Sequence, residues 1–269
     1  VLPFWLSIAA LSSVQGATVL GPTQRAVAVL ARLRSPWWAA IPPLSVLAFV
    51  LIGRLAEHAS GQALTYLALV AVPPLAALAL GWCIWGAHGP HPPAALLVVP
   101  LFALAWADRS GLAGEAAAVA LSALSCVTLG VLLATVTPAR WLALGIVLMA
   151  LADTALVVSD LLQRPNDVLN AAHPAAHLPR LQSASFGDAV MGYGDLFVAG
   201  LLGGLLAAAG DRTRQLRGAF LVAGLALGFD LLFFAVDELP ATVPVALATI
   251  LLGFGSRARV STSAATWVR

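Results

Sequence analysis

The chain contains no lysine, two cysteines, two methionines and two tyrosines among 269 residues, and only 10% of it is charged. Without lysine, the basic charge is carried by 14 arginines, which fall in short clusters between apolar runs. That pattern sets topology and excludes a nucleic-acid patch. Cys83 and Cys126 both lie inside apolar runs, so neither a disulfide framework nor a zinc spacing exists. His58, His88, His91, His173 and His177 fall in expected loops. None pairs with a Cys, Asp or Glu at ligand spacing on a helix, so no metal and no cofactor is expected.

What remains is strongly apolar. Hydrophobic residues make up 61% of the chain and its mean hydropathy is +0.95, far from the composition of a water-soluble globular domain. The expectation is an all-α polytopic membrane protein with nine transmembrane helices, forming one domain over 1–269 without an internal repeat. A bilayer core needs about 20 apolar residues per helix. Runs near 1–20, 36–54, 62–86, 93–107, 114–136, 139–161, 185–209, 215–236 and 239–255 meet or approach that length. The first run is taken as a retained span rather than a signal-peptide remnant. Prolines mostly punctuate the connections, but Pro73, Pro74, Pro240 and Pro244 fall within helices or at their mouths, where they kink a helix or free carbonyls. The tryptophans, Trp5, Trp37, Trp38, Trp82, Trp85, Trp106, Trp141 and Trp267, gather at span ends and read as interfacial anchors.

Sorted by connection, Arg25, Arg32, Arg34, Arg140, Arg212, Arg214, Arg217, Arg257, Arg259 and Arg269 share one side, while Arg54, Arg109, Arg164 and Arg180 share the other. The positive-inside rule then places the amino terminus outside and the carboxyl terminus in the cytoplasm. The acidic Asp237-Glu238 pair faces out, as does the longest connection, 162–184, which is expected to be a disordered or flexible flap. Abundant Ala and Arg with no Lys point to a high-GC prokaryotic genome and a plasma membrane.

Two acids inside apolar runs carry the functional signal. An ionisable group in hydrocarbon costs several kcal/mol unless it faces protein or water. Asp153 lies about 12 Å inside the outer end of the sixth run, and Asp195 about 13 Å inside the outer start of the seventh, at 1.5 Å per residue. Two carboxyls at one level on successive helices can approach each other and share a proton. One can deprotonate a water while the other protonates a carbonyl, the chemistry of aspartic proteases. Gly192 and Gly194 flank Asp195 in Gly192-Tyr193-Gly194-Asp195 and permit close approach of backbone or substrate. Gly200, Gly203 and Gly204 read as packing positions. Asp160 and Asp188 read as solvated interfacial acids. Asp230 lies deeper, in the eighth run, and is a candidate for lining the same cavity without direct catalysis.

Ala152-Asp153, Met191-Gly192-Tyr193-Gly194-Asp195 and Leu239-Pro240-Ala241-Thr242-Val243-Pro244, in that order and in a nine-run chain, resemble the YD, GxGD and PAL motifs of the presenilin and signal peptide peptidase family of intramembrane aspartyl proteases. The motifs cover 139–255, the expected catalytic helices six to nine. The first five runs, 1–136, match only in number. The resemblance implies a presenilin-like fold with Asp153 and Asp195 as the catalytic pair and Gly192, Tyr193 and Gly194 as the active-site motif. It further implies Pro240, Ala241, Thr242 and Pro244 as a substrate-binding segment, and transmembrane segments of other proteins as substrates. Two positions depart from the family: Ala152 stands for the tyrosine of YD and Thr242 for the leucine of PAL. The rival readings are a proton- or cation-coupled transporter using the intramembrane acids, and a prepilin-type GxGD peptidase. The latter enzymes usually carry a lysine after the acid, where this chain has Leu196.

Overall fold

The computed structural model describes residues 3–23, 29–85, 89–234 and 239–253, with backbone alone at 57, 58, 233 and 234. Arg25, His88, the Asp237-Glu238 pair, Arg257, Arg259, Trp267 and Arg269 lie outside the described residues.

The described chain is mostly helical. Its helices are α1 (Phe4–Leu20), α2 (Ile41–Leu55), α3 (Glu57–Leu78), α4 (Val98–Ala107), α5 (Leu112–Val136), α6 (Ala139–Val158), α7 (Gln163–Ala171), α8 (Tyr193–Ala208), α9 (Arg212–Asp230) and α10 (Val243–Leu251). A two-stranded hairpin, β1 (Ser183–Phe186) and β2 (Ala189–Gly192), precedes α8. Four segments are long and apolar enough to cross a membrane: Pro36–Leu55, Ala59–Cys83, Leu112–Val136 and Ala139–Val158. Those four mark the chain as a membrane protein. Phe4–Leu20, Pro92–Ala107 and Tyr193–Ala208 are apolar but shorter.

Local chemistry sets the helix limits. Thr137 precedes Pro138 and is forced into extended backbone, at φ −112° and ψ 134°, so α5 stops there. The proline then leads directly into α6. That helix ends as Asp160 takes φ 52°, a left-handed residue at a helix terminus. Helix α3 runs through Pro73 and Pro74 and then loosens into a π turn over Ala79–Cys83.

Helix α8 is the centre of the bundle. From Leu196 to Ala207 only Phe197 is not fully buried, as expected of a helix that is apolar on every side and enclosed by others. Its most extensive contact is with α5, and small residues make that contact possible. A side chain on Gly130 would overlap the Gly200 carbonyl, one on Gly200 the Cys126 carbonyl, and one on Gly204 the Gly130 carbonyl. The two backbones therefore meet along a glycine seam. Gly203 faces the opposite way, with the Val19 carbonyl of α1 2.7 Å from where its Cβ would stand. Around α8 the core includes Val19, Leu142, Ile146, Met149, Leu201, Leu202, Leu206 and Val245, drawn from α1, α6, α8 and α10.

Two expectations are corrected. The seventh run does not begin as helix at 185, because residues 183–192 pair as a hairpin in the register Ser183↔Gly192 and Phe186↔Ala189. Gly187 turns the chain at φ 57°, a conformation glycine supplies without steric cost at the first position of a two-residue hairpin loop. The turn is anchored on both flanks: Glu115 Oε2 of α5 accepts the Gly187 N–H at 2.7 Å, and Ser7 Oγ of α1 accepts the Asp188 N–H at 3.2 Å. Nor is the 162–184 connection structureless. It carries α7, whose Pro165 sits against Gly53 of α2 and whose Val168 sits against Gly61 of α3.

The described arginines segregate along the bundle. Arg212 donates to the Leu20 carbonyl at the end of α1, while the Ser35 N–H donates to Val136 at the end of α5. Arg32, Arg34, Arg140, Arg212, Arg214 and Arg217 thus lie away from the hairpin. Arg54, Arg109, Arg164 and Arg180 lie at the hairpin end. Trp5, Trp37, Trp38, Trp82, Trp85, Trp106 and Trp141 are all exposed.

Candidate active site

Helices α6 and α8 pack together and bring Asp153 and Asp195 near enough for each carboxyl to feel the other's charge. Both aspartates are partly enclosed by protein. Asp153 occupies the last third of α6. Asp195 sits in the first turn of α8, immediately after the hairpin, rather than deep within a helix beginning at 185.

Each acid has its own orienting partner. Thr242 Oγ1 donates to Asp153 Oδ2 at 2.6 Å, and Thr242 is itself buried, at 2% exposure. Asp195 Oδ2 accepts the Gly192 N–H at 3.1 Å, so the carboxylate reaches back over the amino-terminal turn of its own helix, as an acid at the third position of a helix does. A Cβ on Gly192 would stand 3.0 Å from that oxygen, whereas one on Gly194 would meet only Met149 Cε, at 3.6 Å. Gly192 is therefore the tighter of the two positions, and a side chain there would press on the Asp195 carboxylate.

Tyr193, between the glycines, turns away from the acids. Its hydroxyl shares a 2.7 Å hydrogen bond with Ser125 Oγ of α5, which pins the start of α8 to its principal neighbour. The 240–244 segment approaches from the other side. Pro240 and Pro244 are buried and Ala241 is half-buried, with Pro244 in the first turn of α10, where a missing N–H costs nothing.

The residue that sequence reasoning missed is Gln15. In the sequence it reads as a polar blemish on the first apolar run. In the structure it is fully buried, and its Nε2 donates to the Ala241 carbonyl at 2.9 Å and to the Asp195 carbonyl at 3.4 Å. One amide group thereby ties α1 to both the 240 segment and the acid-bearing turn of α8. Its Oε1 is buried without a hydrogen-bond partner. The signal available in the sequence was a glutamine within an apolar helix, which must find partners there.

Asp230, on α9, accepts a 2.7 Å hydrogen bond from Ser12 Oγ of α1. Its carboxyl is not among the groups acting on Asp153 or Asp195. Asp160 and Asp188 are exposed. Among the described residues, no three His, Cys, Asp or Glu side chains converge as a metal site would require.

Two carboxyls that act on each other electrostatically, with a hydroxyl and a backbone N–H fixing one oxygen of each, can divide the roles of general base and general acid towards a water between them. No protein family, curated protein or solved structure matches this chain.

Proposed function

We propose that the chain is an intramembrane aspartyl endopeptidase that hydrolyses peptide bonds within transmembrane segments of other proteins. The observation that carries this reading is the electrostatic pairing of Asp153 of α6 with Asp195 of α8, with Asp153 braced by Thr242 from the PAL-like segment. The order of the three motifs supports kinship with the presenilin and signal peptide peptidase family.

In this reading the nine apolar runs, each of which contains a helix, are nine spans in a prokaryotic plasma membrane. The arginine-rich end is cytoplasmic, so the hairpin faces out. The chemistry needs no covalent intermediate. One aspartate, ionised, takes a proton from a water whose oxygen attacks the scissile carbonyl carbon. The other, protonated, gives its proton to the carbonyl oxygen, and a gem-diol forms. Collapse of the diol breaks the C–N bond; a proton passes to the leaving nitrogen, and a carboxylic acid and an amine separate. A transmembrane substrate hides its carbonyls in helical hydrogen bonds, so it must unwind locally before attack.

The test is cleavage of a membrane-spanning reporter peptide by purified protein in liposomes. Hydrolysis should fall by at least about 100-fold in Asp153→Asn and in Asp195→Asn, the usual scale for losing a positioned acid or base. Undiminished cleavage by either variant would exclude the assignment. Proton-coupled solute uptake without peptide hydrolysis would favour the transporter reading instead.

A further inference from the structure

A second polar site lies apart from the acid pair, at the hairpin end of the bundle. The turn between α4 and α5, the start of α5, and the 173–180 segment enclose a cavity of about 550 Å³, within the size range of small-molecule sites. Arg109, Arg180, His173, His177 and Glu115 line it. Asp153 and Asp195 do not.

The charge within it is unbalanced. Arg180 is half-buried, and among the described residues its only hydrogen bond runs from a terminal nitrogen to the Asn170 carbonyl at 2.9 Å. Its Nε is buried without a partner, and burial holds its pKa below the ordinary arginine value. Arg109 makes no hydrogen bond or ion pair among the described residues. The one carboxylate on the wall, Glu115, is already engaged by the Gly187 N–H at 2.7 Å. A guanidinium withdrawn from water without a counter-ion is costly; Arg180 is such a group, and the exposed Arg109 opens on the same cavity beside two imidazoles able to donate. The missing partner is an anion. Paired guanidinium forks suit the tetrahedral oxygens of phosphate.

Position narrows the source. The cavity sits where the apolar helix α4 ends, and the exposed Trp106 of its last turn donates from Nε1 to the Ala176 carbonyl at 3.3 Å, beside the cavity wall. Exposed tryptophan at the end of an apolar helix marks head-group level. Ala105, Ala118 and Leu178 also line the cavity and add apolar surface suited to a glycerol backbone.

We propose that this cavity is an anion site that receives the phosphate of an acidic glycerophospholipid. The assignment is independent of the hydrolase reading, and its test involves no peptide cleavage. Delipidated protein in neutral detergent is titrated with phosphatidylglycerol, with phosphatidylcholine of the same chains, and with inorganic phosphate; bound lipid is counted by native mass spectrometry. One phosphatidylglycerol should bind saturably, and Arg109→Gln with Arg180→Gln should weaken it at least tenfold. Phosphatidylcholine should be retained no better by wild type than by the variant. Because Arg180 is half-buried, Arg109→Gln alone serves as the second variant: its side chain is exposed and unbonded, and it should weaken binding while leaving the unfolding temperature unchanged. Equal retention of the two lipids, or indifference to both variants, overturns the proposal. Inorganic phosphate binding as tightly as the lipid overturns the lipid assignment and leaves a free-anion site.

Discussion

Thr242 Oγ1 stands 2.6 Å from Asp153 Oδ2, joining the segment before α10 to the acid of α6. In the proposed kinship Thr242 stands where the PAL motif carries leucine, and the resemblance implies a substrate contact there. Its buried hydroxyl instead holds one oxygen of Asp153, leaving the other free to act. Thr242→Val keeps the shape and removes the donor. A hydrogen bond to a carboxylate contributes about 1.5–3 kcal/mol, so kcat on a reporter peptide should fall by about 10- to 100-fold. KM should change little, and Thr242→Ser should restore most of the rate. Should Thr242→Val cleave like wild type, the hydroxyl has no part in orienting Asp153.

Gln15 makes a different prediction. Its Nε2 spans the carbonyls of Ala241 and Asp195, so Gln15→Leu, similar in volume, strips a buried carbonyl of its donor at a cost of about 1–3 kcal/mol. Thermal unfolding in detergent should shift down, and kcat should fall with it because the 240 segment loses its tie to α8. Gln15→Glu keeps size but presents an acceptor to two acceptors, and should be worse than Gln15→Leu. Finding Gln15→Glu equal to wild type in stability and rate would show that the link carries nothing.

Where the sequence was legible, one rule sufficed. Apolar runs became helices because backbone groups removed from water must be paired within the segment, and Pro138 marked the boundary between α5 and α6. Asp153 and Asp195 stood out because a carboxyl in such a run needs a reason. The hairpin was not legible in the same way. Ser183 to Gly192 is apolar enough to pass as the start of a helix, and only Gly187 and Asp188 at its middle hint at a turn; the anchors that fix it, Ser7 and Glu115, are remote in sequence. Gln15 and Thr242 were opaque for the same reason. Their partners lie 226 and 89 residues away, and hydropathy periodicity says nothing about partners at that separation.

The glycine seam gives paired outcomes of opposite sign. At Gly200 a new methyl would collide with the Cys126 backbone rather than with a side chain able to move, so Gly200→Ala must separate α5 from α8. Overpacking of this kind costs about 1–3 kcal/mol or more, and the unfolding temperature should drop. Gly224, within α9, has nothing within 4 Å of where its Cβ would stand. There Gly→Ala should be neutral or stabilising by up to about 1 kcal/mol, from the reduced freedom of the unfolded chain. Equal effects at the two positions would mean that α5 and α8 are not in backbone contact.

Asp230 is the strictest check on which acids react. It is a carboxyl within an apolar run with the same prior claim to function as Asp153 and Asp195, yet its partner is Ser12, at 2.7 Å, and among the described residues no carboxyl acts on it. An acid tied to a serine links α1 to α9 and, among the described residues, has no second carboxyl with which to divide base and acid roles. Asp230→Asn preserves a hydrogen-bond acceptor for Ser12 and should retain peptide cleavage within about threefold, while Asp230→Leu should lower the unfolding temperature by leaving the Ser12 hydroxyl without its long-range partner. In a proton- or cation-coupled transporter the order reverses, because every acid on the path is needed and Asp230→Asn would stop uptake as completely as Asp195→Asn. Measuring both variants in one reconstituted preparation separates a two-acid hydrolase from a three-acid relay.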